Sequence, residues 1–162
     1  MKGWGFRLWE IPIVIAFLLF GLKMGVTVAL VHTFAELTIF PSPVGILGPP
    51  TALLGTLVML LGLYAADRLL KKRNTPQDAG VKKGVYYTIF GTLARLAFSP
   101  IAAFLIYAVL LPVVGVSLPM PAIIGLIPFV LLFDLILSLY TIPIGYLVAR
   151  IISKNLKVGN QL

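Results

Sequence analysis

The sequence predicts an all-α membrane protein, a polytopic bundle of about five transmembrane helices in a single domain spanning 1–162. Three observations carry this. Of the 162 residues, 60% are hydrophobic and 11% are charged, against about 25% charged in a soluble domain, and the mean hydropathy is +1.07. Several apolar runs reach the ~20 residues that cross roughly 30 Å of hydrocarbon in a helix. The net charge of +8 is gathered in short stretches beside those runs. That is the positive-inside pattern of a membrane protein, and it argues against nucleic acid as a partner. The chain contains no cysteine, which excludes disulfides and thiolate metal sites. A cleaved signal peptide is not expected, because the first apolar run continues past a signal-type core and no small-residue cleavage site follows it.

Taken in order, the predicted helices run approximately over 8–22, 25–40, 51–70, 85–111 and 122–152. The first apolar region, 8–40, would be roughly 50 Å long as one helix. It would also put Lys23 near the middle of the membrane, where an unpaired charge costs at least about 2.5–3.5 kcal/mol. Two short helices, broken where Gly21 and Gly25 permit a tight turn, place Lys23 at a surface instead. The last three runs span easily, and Pro100 and Pro143 are the expected kinks. Arg68, Lys71, Lys72, Arg73, Lys82 and Lys83 crowd the stretch 68–83, and Arg150, Lys154 and Lys157 mark the tail. The segments 41–50 and 112–121 hold no lysine or arginine. A multi-pass protein of the cell membrane is therefore expected, with the 68–83 loop and the C-terminus cytoplasmic. Charge placement leaves the number of crossings open. Four put both termini inside, five put Lys2 and Arg7 on the outer face, and a sixth helix upstream would restore them.

Few polar groups fall at membrane depth, and each needs a reason to be there. Arg95 lies eleven residues into its predicted helix, about 16 Å from the inner surface, and Asp134 is about as deep in the last one. They are expected to meet, either as a structural pair pinning two helices or as the lining of a polar ligand cavity. A buried pair is weak evidence for stability, which favours the second role slightly. His32 and Glu36, spaced i, i+4, share a helix face and read as a local hydrogen bond; two mixed side chains are a weak metal signal. Glu10, beside Trp9, is either solvated at the outer surface or placed at the mouth of a pocket. Trp4 and Trp9 fit an interfacial aromatic belt. Gly55, Gly62 and Ala66 lie on one helix face, and Gly21 and Gly25 give a small-xxx-small spacing. Both patterns are read as close helix packing, either within the bundle or against another membrane subunit.

No GxxxxGK[ST] phosphate-binding loop is present, nor a GxSxG or HExxH motif. An enzyme is unsupported, and neither a cofactor nor a metal site is expected.

The chain resembles the substrate-binding (S) components of energy-coupling-factor (ECF) vitamin transporters, most of all the riboflavin type. The resembling stretches are EIPIVIAFLLFGLKMGVTVAL at 10–30, VGILGPPTALLG at 44–55, GVYYTIFGTLARLAF at 84–98 with the LLP at 110–112, and IPFVLLFDLILSLYTIPIGYLVARI at 127–151. Together they cover most of the chain. The resemblance implies a six-helix bundle that binds a vitamin near its outer surface and delivers it with a membrane-embedded coupling subunit and two ATPases. The family's first helix precedes the stretch matching Glu10-Ile11-Pro12, so this chain is expected to begin after it, through either a late start codon or loss of the helix. The resemblance places a closing loop over 41–50, with Pro43, Gly45, Gly48 and Pro49 as its gating residues. Pocket candidates are Glu10, Arg95, Asp134 and Thr51, with Trp9 and Tyr107 available to stack on a flat ring. Two departures bear on the ligand: an asparagine usual in the riboflavin branch is Ala52 here, and a Phe-Asn is Phe133-Asp134. Exchanging amide donors for a carboxylate alters which ligand fits. Two other readings are a self-sufficient secondary transporter or channel, which calls for inverted repeats or a continuous polar path, and a membrane scaffold without a ligand.

Overall fold

The structure is a computed structural model that describes residues 8–39, 48–72, 80–110, 112, 115 and 118–156. Among the described residues are five α-helices and no strand: α1 (Glu10–Phe20), α2 (Leu22–Ile39), α3 (Gly48–Lys72), α4 (Gly80–Phe104) and α5 (Met120–Leu156). A π-helical turn, Leu105–Leu110, continues α4. Helices are the expected solution in lipid, because each satisfies its own backbone donors and acceptors where water cannot. Three segments are long and apolar enough to cross a bilayer: Gly48–Lys72, Gly80–Val109 and Met120–Asn155. The 11 residues of α1 extend only about 16 Å.

The break between α1 and α2 is a single residue. Gly21 has φ 85° and ψ −177°, a backbone conformation essentially reserved for glycine. Its N–H donates to the Phe17 carbonyl at 2.8 Å and closes α1. The sequence placed the turn over two further residues. In the structure Lys23 is instead exposed in the first turn of α2, and Gly25 lies against Phe17, so α1 and α2 form a tight hairpin.

Helix starts also differ from the sequence-based limits. α3 begins at Gly48, and Pro49 and Pro50 occupy its first turn, where a missing N–H costs nothing. Both Gly48 and Pro49 are buried, so these two residues belong to the helix and not to a loop; Pro43 and Gly45 lie outside the described residues. Helix α4 begins at Gly80 and carries Pro100 within it, and α5 carries Pro128 and Pro143.

The helices pack as a closed ring, in which α2 lies on α3, α3 on α4, α4 on α5, α5 on α1 and α1 on α2. Small residues set the closest approaches, as expected where lipid supplies no hydrophobic drive to associate. A methyl group at Gly62 would fall 2.5 Å from the Phe90 carbonyl oxygen and 2.7 Å from Ala94 Cβ, and one at Gly145 would fall 2.7 Å from Val14. The apolar core fills one half of the ring: Val14 and Phe17 of α1, Leu60 and Leu63 of α3, Tyr87 of α4, Ile142 and Tyr146 of α5. The α1–α2 turn lines the same crevice as Asp67 and Lys71, and Arg150 lies over Gly80. Lys23, the basic end of α3 and the basic end of α5 therefore gather at one end of the bundle. Large apolar side chains such as Leu61, Leu93, Phe129, Leu139 and Leu147 face outward, as a lipid-facing surface requires.

Candidate functional site

In the half of the bundle away from that core, four polar side chains meet. Arg95 of α4 is 2% exposed. Its guanidinium donates through Nη1 and Nη2 to the two carboxylate oxygens of Glu10, at 2.6 and 3.2 Å, and through Nε to Asp134 Oδ1 at 2.9 Å. The Ser99 hydroxyl donates to Asp134 Oδ2. Two-pronged pairing to Glu10 uses the planar fork of arginine, which lysine lacks. Gly55 of α3 lies next to the guanidinium: a methyl group there would lie 3.8 Å from Nη2, an ordinary contact.

Local chain geometry brings these groups together. Arg95 and Ser99 are spaced i, i+4 and share the face of α4 turned towards α5. Asp134 lies 14 residues into α5, about 21 Å from its start. Glu10 heads α1, and the packing of α1 on α5 carries it inward. The expected Arg95–Asp134 pair is present. Of the two alternatives for Glu10, the solvated one is corrected: Glu10 is 1% exposed and bound to Arg95.

Beside this cluster lies a cavity of about 180 Å³ between α3, α4, the π-helical turn and α5. Its polar lining comes from Thr51, Arg95, Ser99, Tyr107 and Asp134, and its apolar lining includes Phe98, Val130 and Phe133. Gly48 and Tyr107, at the start of α3 and in the turn after α4, border it, so it lies towards the end of the bundle opposite the basic one. Four of the six pocket candidates, Thr51, Arg95, Tyr107 and Asp134, thus line one space. Thr51 donates its hydroxyl to the Gly48 carbonyl at 2.7 Å.

Trp9 and Glu10 face elsewhere. They line a gap of about 10 Å³ with His32, Thr33 and Thr56, a space the size of one water molecule. Trp9 stacks on His32 with ring centroids 5.3 Å apart. The expected His32–Glu36 hydrogen bond is absent among the described residues, because His32 turns to Trp9 and Glu36 Oε2 is buried without a hydrogen-bond partner there. Sequence reasoning missed Ser99, whose i, i+4 spacing from Arg95 was the available signal.

Chemically, the cluster can hold and orient a polar group at the edge of an aromatic cavity. Comparison of the chain with known protein families, with curated proteins and with solved structures finds no match in any of the three.

Proposed function

We propose that the chain is a substrate-binding subunit of a membrane transporter of the energy-coupling-factor type. It takes up a vitamin or related small molecule in the cavity between α3, α4 and α5. Delivery then requires a membrane-embedded coupling subunit and two ATPases, and the cytoplasmic side is the end where Lys23, the basic end of α3 and Arg150 gather. The observation that carries the reading is the juxtaposition of a buried ionic cluster with a partly aromatic cavity at the opposite end of the bundle. Ligand sites combine an apolar lining with a few placed polar groups in this way. The resemblance of the sequence to riboflavin-type S components supports the same reading and names riboflavin as the first compound to test. The detergent-purified chain is expected to co-purify with a flavin or to be stabilised by added riboflavin, with binding weakened by Tyr107→Ala. Colourless protein with no thermal shift from riboflavin would remove riboflavin; no response to a panel of vitamins would remove the transport reading.

One observation favours a second reading, a scaffold in which the cluster only clamps helices: the acceptors of Arg95 come from α1 and α5 alike. On that reading Tyr107→Ala alters no binding, because there is none.

A further inference from the structure

We infer that the ligand of this cavity carries a cationic nitrogen and that Asp134 receives it, an inference that rests on the binding-subunit reading. It follows from counting formal charge. The cluster holds two carboxylates, Glu10 and Asp134, and one guanidinium, Arg95, which leaves one negative charge in excess. Among the described residues, the other elements packed around it do not cancel this charge. From α2, His32 borders the gap beside Glu10 and makes no ion pair among the described residues. Helix α3 contributes Thr51 and Thr56, and the π-helical turn contributes Tyr107, all without charge in their usual forms. An unbalanced charge away from water is costly, so the site as a whole is complementary to a cation.

The excess belongs to Asp134 rather than to Glu10. Glu10 is 2% exposed at its side chain, has both oxygens on Arg95 and lies outside the cavity lining. Asp134 is 15% exposed at its side chain and lines the cavity. Its two oxygens have each accepted one hydrogen bond, from Arg95 and from Ser99, and a carboxylate oxygen can accept a second. Among the described residues Arg95 is the sole cation in the lining, and its charge is already shared between two acceptors. An anionic ligand would therefore meet net repulsion. Phe98, Tyr107 and Phe133 add aromatic rings to the lining, and aromatic faces attract a desolvated cation.

The test uses the full chain in detergent and three one-ring probes of similar size at neutral pH: 2-phenylethylamine as the cation, 2-phenylethanol as the neutral compound and 3-phenylpropanoate as the anion. Binding is read by calorimetry or saturation-transfer NMR. The cation is expected to bind about tenfold or more tighter than the alcohol, and the anion more weakly than either. Asp134→Asn is expected to bring the cation down to the affinity of the alcohol, with an unchanged circular-dichroism spectrum as the check that the variant is folded. If that variant does not fold, the three probes on the unaltered chain decide. Equal affinity for cation and alcohol, or preference for the anion, overturns the inference while binding at the site still stands. Tight riboflavin binding does the same, because riboflavin carries no cationic nitrogen at neutral pH. No binding of any probe or of riboflavin overturns both readings.

Discussion

Replacing Arg95 by methionine tests the energetics of the cluster directly. The substitution keeps much of the side-chain volume and removes the charge. It deletes three charge-assisted hydrogen bonds, at 2.6, 3.2 and 2.9 Å, each of which contributes about 1.5–3 kcal/mol net. It leaves Glu10, 1% exposed, and Asp134 facing each other without a cation between them. Water entering from the cavity and side-chain relaxation limit the loss, so the expected destabilisation is about 3–5 kcal/mol, the usual cost of removing one partner from a buried ion pair. Reversible unfolding in mixed detergent micelles measures it. The companion variant combines Arg95→Met with Glu10→Gln and Asp134→Asn. It removes the stranded charges and is expected to recover more than half of the loss, because replacing a whole buried ionic group is often nearly neutral. A loss below about 1 kcal/mol for Arg95→Met, the range of an exposed pair, would refute the burial and the pairing together. Failure of the triple variant to recover would refute the assignment of the cost to uncompensated charge.

Three further substitutions test how the bundle closes. Gly62→Leu forces a side chain into a contact where even Cβ lies 2.5 Å from a backbone oxygen of α4; a loss of about 1–3 kcal/mol or more is expected, whereas Gly55→Ala, with 3.8 Å to Arg95, should change stability little in the same unfolding assay. Gly21→Ala meets no atom within 4 Å, so its cost is backbone strain alone, about 1–3 kcal/mol, and equal stability of that variant would show that the α1–α2 turn does not need a glycine.

Much of the bundle was legible because lipid leaves few options. Apolar runs of about 20 residues must be helices, and an arginine and an aspartate at similar depth must find partners, so Arg95 and Asp134 pointed to each other. Glu10 was not legible in this way. Counting along the chain puts it at the head of a run, where a carboxylate looks solvated. Only the packing of α1 on α5 and α3 draws that head inside, across 85 residues of sequence from Arg95. Helix limits were misjudged where a residue has two meanings. Pro49 and Pro50 read as a loop by composition, yet proline suits the first turn of a helix. Gly25 read as part of a turn, yet it is a packing position against Phe17. Tertiary contact decides between such meanings, and local sequence does not contain it.

The clamp and ligand readings are not exclusive, and their stoichiometry separates them. The apolar core joins α1, α3, α4 and α5 in the half nearest the basic end. In the other half, Arg95 ties α4 to α1 through Glu10 and to α5 through Asp134. Polar side chains can hold helices together in lipid, so a clamp there is reasonable. A clamp, however, works best when neutral. One guanidinium and one carboxylate would join two helices at lower desolvation cost, and a neutral amide in place of Asp134 would still accept from Arg95 through its oxygen and donate through its nitrogen to the Ser99 hydroxyl oxygen. The second carboxylate adds an uncompensated charge and borders a cavity. As a stabilising device it is inferior to its neutral isostere. As one half of an ion pair whose other half arrives from outside, it has a use. If Asp134→Asn proves as stable as the unaltered chain, or more so, yet loses the cation preference, the charge is there for the ligand and the remaining Glu10–Arg95 pair is the clamp. If Asp134→Asn instead unfolds the bundle as readily as Arg95→Met does, the second carboxylate is part of the clamp and its charge is structural.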